Sequence, residues 1–363
     1  MEEFHTDSST AGLVLSCYTV ASLVMRAFSG YLVDSFPRKP IYLTGFIGLT
    51  LIFLGYTVAG SLALIIGLRM LHGAFFGLVS VSGNTIVIDI TPSARRGEAI
   101  GFYGLMNNLA LCLGPMTSLF MHNSGMSYDS IFHCSFLAGA LGIVMVSFVR
   151  TPYKPPLRRE PLSFDRFILF KGLPASLSLL LIAIPYGMTS TYIALYARDI
   201  GIHHSTGLFF SCMAVGLGMS RFFSGREADR GRGPRIIQIG MTFSLIVFAL
   251  MASLLVLKDL HSTLTEWIFF GAAFGMGVSY GSMFPAFTTL FVNLAPNTKR
   301  GTATSTYLTS WDIGISIGLL LGGWIMNHFS FDNAYLIALL LTASSFLFFH
   351  LYVVPHYHHH KLS

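Results

Sequence analysis

The chain has 363 residues, of which 53% are apolar and only 10% charged, with a net charge of +6 and 13 histidines. An average soluble protein carries roughly 25% charged residues, so a soluble domain is excluded and a polytopic, all-α membrane protein is implied. The basic residues sit in short loops, where they read as a topology signal rather than a nucleic-acid surface, and no nucleic-acid partner is expected. Cys17, Cys112, Cys134 and Cys212 all lie in apolar stretches without a CxxC pair, which argues for buried thiols rather than disulfides or metal ligands.

A helix needs about 20 apolar residues to cross a bilayer. Taken in chain order, eleven stretches satisfy this: 10–33, 40–60, 62–89, 98–121, 129–149, 168–197, 205–225, 235–257, 264–293, 299–326 and 332–354. Residues 1–150 therefore form a five-span bundle and 168–355 a six-span bundle. They are joined by a basic, proline-rich linker, 151–167, and followed by a histidine-rich tail, 356–363, read as unstructured. Of the 22 Lys and Arg, only Arg198 and Lys258 fall in loops on the side opposite the linker, and Arg26, Arg69 and Arg221 fall within spans. The positive-inside rule then places the linker and the C-terminus in the cytoplasm and the first residues outside. Met1-Glu2-Glu3 is acidic where a secretory signal would begin basic.

The chain repeats itself. Gly12, Ser16, Arg26, Phe28-Ser29-Gly30 and Asp34 return as Gly207, Ser211, Arg221, Phe223-Ser224-Gly225 and Asp229. Pro92, Arg96-Gly97, Tyr103 and Gly114 return as Pro296, Arg300-Gly301, Tyr307 and Gly318. A span precedes the second copy, while only Met1 to Ser9 precede the first, so a duplicated bundle lacking its first helix is expected.

The loop Gly30-Tyr31-Leu32-Val33-Asp34-Ser35-Phe36-Pro37-Arg38-Lys39 resembles the G-x-L-a-D-r-x-G-R-K signature of the major facilitator superfamily, with Pro37 in place of Gly and Ser35 in place of a basic residue. Gly225 to Arg232, containing Asp229 and Arg230, is its echo, shifted after Arg230, and Leu68-Arg69 through Gly77 resembles the family's helix 4 motif. The likeness covers the whole chain and begins at the family's helix 2. It implies two bundles rocking about a midplane site, and an in-frame apolar stretch of about 20–25 residues is expected upstream of Met1.

Candidate site residues follow. Asp34 ends a helix and could face the unpaired backbone N–H groups of the span starting near Lys299, with Arg38 pairing to Asp89. The resemblance makes Gly30, Asp34, Arg38, Lys39 and Asp89, with Gly225, Asp229 and Arg230, a latch on the outward-facing state. Asp89's counterpart is Asn293, so the mirrored latch should be weaker. Ionisable residues inside spans are functional hypotheses: Arg69 and His72 in the third span, and Asp312 in the tenth, whose counterpart is Asn108. Tyr103 and Asn107 match Tyr307 and Trp311, which places a polar and aromatic stripe on each helix. Arg26 and Arg221 are expected to snorkel to the cytoplasmic face. Gly114-Pro115 resembles the kinked helix 5 motif of proton-coupled drug exporters.

No nucleophile elbow, phosphate loop or zinc-spaced triad is present, so neither enzymatic activity nor a cofactor beyond an ion gradient, here protons, is expected. The reading is a monomeric secondary transporter of the cell membrane exporting small molecules. Uptake of a sugar or metabolite by symport, and a non-transporting receptor or scaffold on a degenerate transporter fold, remain the alternatives.

Overall fold

Inside a bilayer no water reaches an unpaired backbone N–H or C=O, so a chain this apolar satisfies its backbone within helices. The computed structural model describes residues 8–152, 166–202, 207–257, 262–329 and 331–362. Among them are eleven long helices: α1 (Ser8–Ser35), α2 (Arg38–Thr57), α3 (Leu62–Ile90), α4 (Arg96–Asn123), α5 (Tyr128–Ser147), α6 (Leu173–Asp199), α7 (Gly207–Glu227), α8 (Gly233–Leu257), α9 (Ser262–Asn293), α10 (Arg300–His328) and α11 (Phe331–Phe348). Each overlies one of the eleven expected spans. Eight continuous helical segments among the described residues are long and apolar enough to cross a membrane, one of them running through both α7 and α8.

The tail corrects the sequence expectation. A wide turn at Phe349–Val353 carries α11 into α12 (Val354–His360), so the histidines lie on a helix rather than on an unstructured end. Tyr357 is buried and accepts a hydrogen bond from the Asn293 side chain at 3.0 Å, which ties the tail to the end of α9. Among the described residues no group of three metal-capable side chains forms. Most of the linker, residues 153–165, and the first seven residues lie outside the described set.

The chain folds as two compact units. The first takes in α1 to α3, α5, most of α4 and the segment Asn297–Thr306 that opens α10. The second takes in α6 to α9, α11, α12, the remainder of α10 and the segment Thr91–Leu105 that opens α4.

Close helix crossings hold each unit. Apolar side chains gain nothing by leaving lipid, so packing in a membrane depends on small residues that let backbones approach. In the first unit a Cβ on Gly73 or Gly77 of α3 would overlap the carbonyl oxygens of Tyr18 and Ser22 on α1. In the second unit a Cβ on Gly277 or Gly281 of α9 would overlap the carbonyls of Met213 and Leu217 on α7, which are the matching positions of the repeat. The glycine-rich run of α9 is thus a packing face. Gly314 and Gly318 of α10 meet Leu180 and Ile184 of α6 in the same way.

Gly73→Val and Gly277→Val should each destabilise the detergent-purified protein by about 1–3 kcal/mol or more, the usual cost of overpacking. Gly67→Ala and Gly271→Ala, where nothing lies within 4 Å of the added carbon, should leave the melting temperature unchanged or slightly raised. A thermal melt of the four variants compares the two classes.

Candidate functional site

In the first unit the motif loop builds a buried ion network around a helix start. The Gly301 N–H donates to Asp34 Oδ1 at 2.7 Å, and the Thr302 N–H and hydroxyl donate to Oδ2 at 2.8 Å each. One carboxylate therefore satisfies two of the orphan donors at the start of α10 and complements its positive dipole end. Gly30, one turn earlier, permits this approach, because a Cβ there would lie 2.9 Å from that of Ser305 and 3.0 Å from the Thr302 backbone. The Arg38 guanidinium lies 3.4 Å from Asp34 and bonds Asp89, while Arg300 reaches the other Asp89 oxygen at 2.8 Å. All four charged side chains are under one-tenth exposed. Burial raises the Asp34 carboxyl above the ordinary carboxylate range, against the pull of the Thr302 N–H and the Arg38 charge. Lys39 stands apart from this network and donates to the Ser147 and Val149 carbonyls at 2.7 and 2.8 Å, capping the end of α5.

The second unit repeats the carboxylate contact and changes its surroundings. The Gly97 and Glu98 N–H groups at the start of α4 donate to Asp229 at 2.6 and 3.1 Å, and Gly225 lies against Gly97. Arg230 and Arg232 both pair with Glu227 at 2.6 and 2.7 Å, and Arg226 and Arg95 pair with Glu98 at 3.1 and 3.2 Å. Those guanidiniums hold the Glu227 and Glu98 carboxyls below the usual range. Asn293 carries no charge to answer them and bonds Tyr357 instead. The loops also turn differently: the first passes through an extended Pro37, with φ −59° and ψ 124°. The second stays wound and turns at Gly231 with φ +80°, a conformation that favours glycine.

Within the spans, Arg69 and His72 meet on one aromatic ring. The Arg69 guanidinium lies 5.4 Å over Tyr56, whose hydroxyl is 3.1 Å from His72 Nδ1. Tyr18 and Phe53 close edge-on around the imidazole at 5.4 and 5.3 Å. In the second unit Trp311 joins Tyr186, Tyr280 and Phe284 at centroid distances of 5.0, 5.8 and 4.6 Å. The Tyr280 hydroxyl donates to the Ile182 carbonyl at 3.0 Å, in the turn that Pro185 weakens. Tyr307 is buried one turn before Trp311 and packs on Phe291 at 5.8 Å. Asp312 is half-buried beside Trp311, and its carbonyl accepts from Ser316 at 2.8 Å. Tyr103 is half-buried and Asn107 exposed; the side chains of Asn108 and Pro115 lie outside the described set, and the backbone is helical through Gly114.

Two residues overturn the sequence expectation. Arg26 and Arg221 do not snorkel: both are more than nine-tenths buried. Arg26 reaches Ser80 Oγ at 3.2 Å and stacks 5.5 Å over Phe76. Arg221 stacks 5.6 Å over Phe284, and its Nε and Nη1 find no acceptor among the described residues. Depth along the helix suggested an escape to water, but close helix packing around each arginine shuts it off. Arg300 is a further residue that sequence reading passed over. Counted only as a loop charge, it completes the Asp89 network, and its place opposite Arg96 in the repeat was the available signal.

A duplicated set of membrane helices, repeated in parallel along the chain, is an arrangement found among membrane transporters. The sequence profile of the Major Facilitator Superfamily matches residues 1–264 and 175–363. The staphylopine export protein of Staphylococcus aureus is 22% identical over 350 residues, covering 92% of this chain and 85% of that protein. The multi-drug resistance efflux pump PmrA of Streptococcus pneumoniae is 22% identical over 348 residues, covering 93% and 84%. Among solved structures, the transporter FucP in its outward conformation superposes with a TM-score of 0.74 at 14% identity, covering 96% of this chain and 91% of that one. The human organic anion transporter MFSD10 gives 0.72 at 16% identity, covering 93% and 83%. The chain belongs to the major facilitator superfamily and is a multi-pass membrane transporter.

Asp89→Ala leaves both Arg38 and Arg300 buried without their partner and should cost about 3–5 kcal/mol of stability. Glu227→Ala removes only the half-buried partner of the exposed Arg230 and Arg232 and should leave the melting temperature within error. Denaturant or thermal melts in detergent compare the two.

Proposed function

We propose that the protein exports small amphipathic molecules by alternating access, driven by protons moving inward. The observation that carries this reading is that two relatives matching more than nine-tenths of the chain are named as exporters. The Gly114-Pro115 pair and the cluster of Trp311, Tyr186 and Phe284 agree with it, since aromatic faces suit apolar bodies of varied shape. Arg69, His72 and Asp312 are the coupling candidates, as ionisable groups within spans. The Asp34 and Asp229 contacts serve as latches that hold one state and release as the repeats rearrange, the first being the stronger because Asp89 adds a buried ion network that Asn293 lacks. The motif loops and the C-terminus lie in the cytoplasm, and the protein works as a monomer in the cell membrane.

Everted membrane vesicles from expressing cells test direction and coupling together. An inside-acid gradient should load a fluorescent amphipathic dye, a protonophore should abolish the loading, and Asp312→Asn or Arg69→Ala should reduce it by at least about tenfold, a shift of roughly 1.4 kcal/mol in the coupled step. Gradient-driven loading only in right-side-out vesicles would overturn the export reading, and wild-type loading in both variants would remove their coupling roles.

A further inference from the structure

The two copies of the repeat differ at one buried cation. In the first copy Arg26 lies over Phe76 and donates from Nε to Ser80 Oγ at 3.2 Å. In the second copy Tyr280 stands at the position of Phe76 and Phe284 at that of Ser80. The cation is retained and its hydroxyl acceptor is replaced by a ring. Arg221 is 7% exposed, and Nε and Nη1 have no hydrogen-bond partner among the described residues. A guanidinium cannot shed its proton to relieve this, because its ordinary pKa lies above about 12. A buried, permanently charged group with open donors calls for an anion from outside the chain.

The surroundings define what kind of anion. Beside Arg221 a cavity of about 10 Å³ is lined by Gly101, Phe102 and Leu105, room for roughly one water-sized atom. It fits one oxygen of a carboxylate, sulfonate or phosphate head. Gly104 lets the guanidinium lie flat against α4, since a Cβ there would overlap Nη1. Arg221 also lies over Phe284, which meets Trp311 edge-on at 4.6 Å, and Trp311 meets Tyr186 at 5.0 Å. These three rings are half-buried. A single buried cation next to half-buried aromatic rings matches a molecule with one anionic head on an aromatic body.

We infer that Arg221 is the anion-recognition point of the substrate site, and that the transported molecules carry a negative head on an aromatic or amphipathic body. This rests on the transporter reading and narrows its substrate class. Arg26, with its acceptor built in, is the structural counterpart that binds nothing.

Two dyes isolate the charge: 8-anilinonaphthalene-1-sulfonate, and N-phenyl-1-naphthylamine, which has the same rings without the sulfonate. The chain has three tryptophans, so Trp267→Phe with Trp324→Phe leaves Trp311 as the reporter at the cluster. Saturable quenching of Trp311 in purified protein gives the affinity for each dye. The expected result is tighter binding of the sulfonate than of the amine. Arg221→Gln should weaken the sulfonate by at least about tenfold, the size of a lost hydrogen bond to a charged group, and leave the amine within about twofold. Arg221→Lys should keep the preference for the sulfonate. Phe284→Ser, which gives Arg221 the acceptor that Ser80 gives Arg26, should erase that preference although the cation remains. Equal affinity for the two dyes in the wild type, or equal loss of both in Arg221→Gln, would overturn the inference. The transport reading is judged separately: dyes driven by a proton gradient without charge preference would uphold it alone. Arg221-dependent sulfonate binding with no gradient-driven movement would uphold only the anion site.

Discussion

The start of an α-helix presents backbone N–H groups that no residue of that helix can satisfy, and in a membrane chain water offers only limited help. Here two such starts are met by carboxylates from distant parts of the sequence, Asp34 on α10 and Asp229 on α4. The rest of the arrangement serves these two contacts. Gly30 and Gly225 clear the space for them, and Arg38, Asp89 and Arg300 surround the first with buried charge. Such a contact is strong when seated and can be lost as a unit, because both backbone donors depend on one side chain. That combination suits an element with two states.

The repeat explains why the same geometry occurs twice, and its departures show where the two copies are built differently. The glycine crossings of α1 on α3 and α7 on α9 are retained position by position, because backbone contact tolerates no side chain. Two departures change the partners of buried charges: Asp89 against Asn293, and Ser80 against Phe284. The first pair gives one carboxylate contact a buried ionic surround and, in the other copy, a tie to the C-terminal helix. The second leaves one buried arginine satisfied and the other open.

Much of this was legible in the sequence, for identifiable reasons. Eleven helices follow from apolar length, and the membrane setting from the scarcity of charge. Asp34 could be placed on α10 because the motif ends one helix and the repeat marks the start of another. The fate of Arg26 and Arg221 was not legible, since snorkelling is judged from depth along one helix, whereas their burial depends on neighbours from α3, α4 and α9. Lys39 sits within the motif yet caps α5, a long-range partner that spacing does not reveal. The cluster of Trp311 with Phe284 and Tyr186 likewise joins three helices whose facing no linear pattern states.

We propose that the Asp34 contact is a switch of the transport cycle and not a permanent brace. A distance measurement between spin labels at Phe36, which is 51% exposed, and at Thr298, also exposed, tests it most directly in protein freed of its four native cysteines. In proteoliposomes at rest one short distance is expected between the end of α1 and the start of α10. Substrate together with a proton gradient, or Asp34→Asn alone, should add a second, longer distance. A single unchanged distance under all three conditions would contradict it.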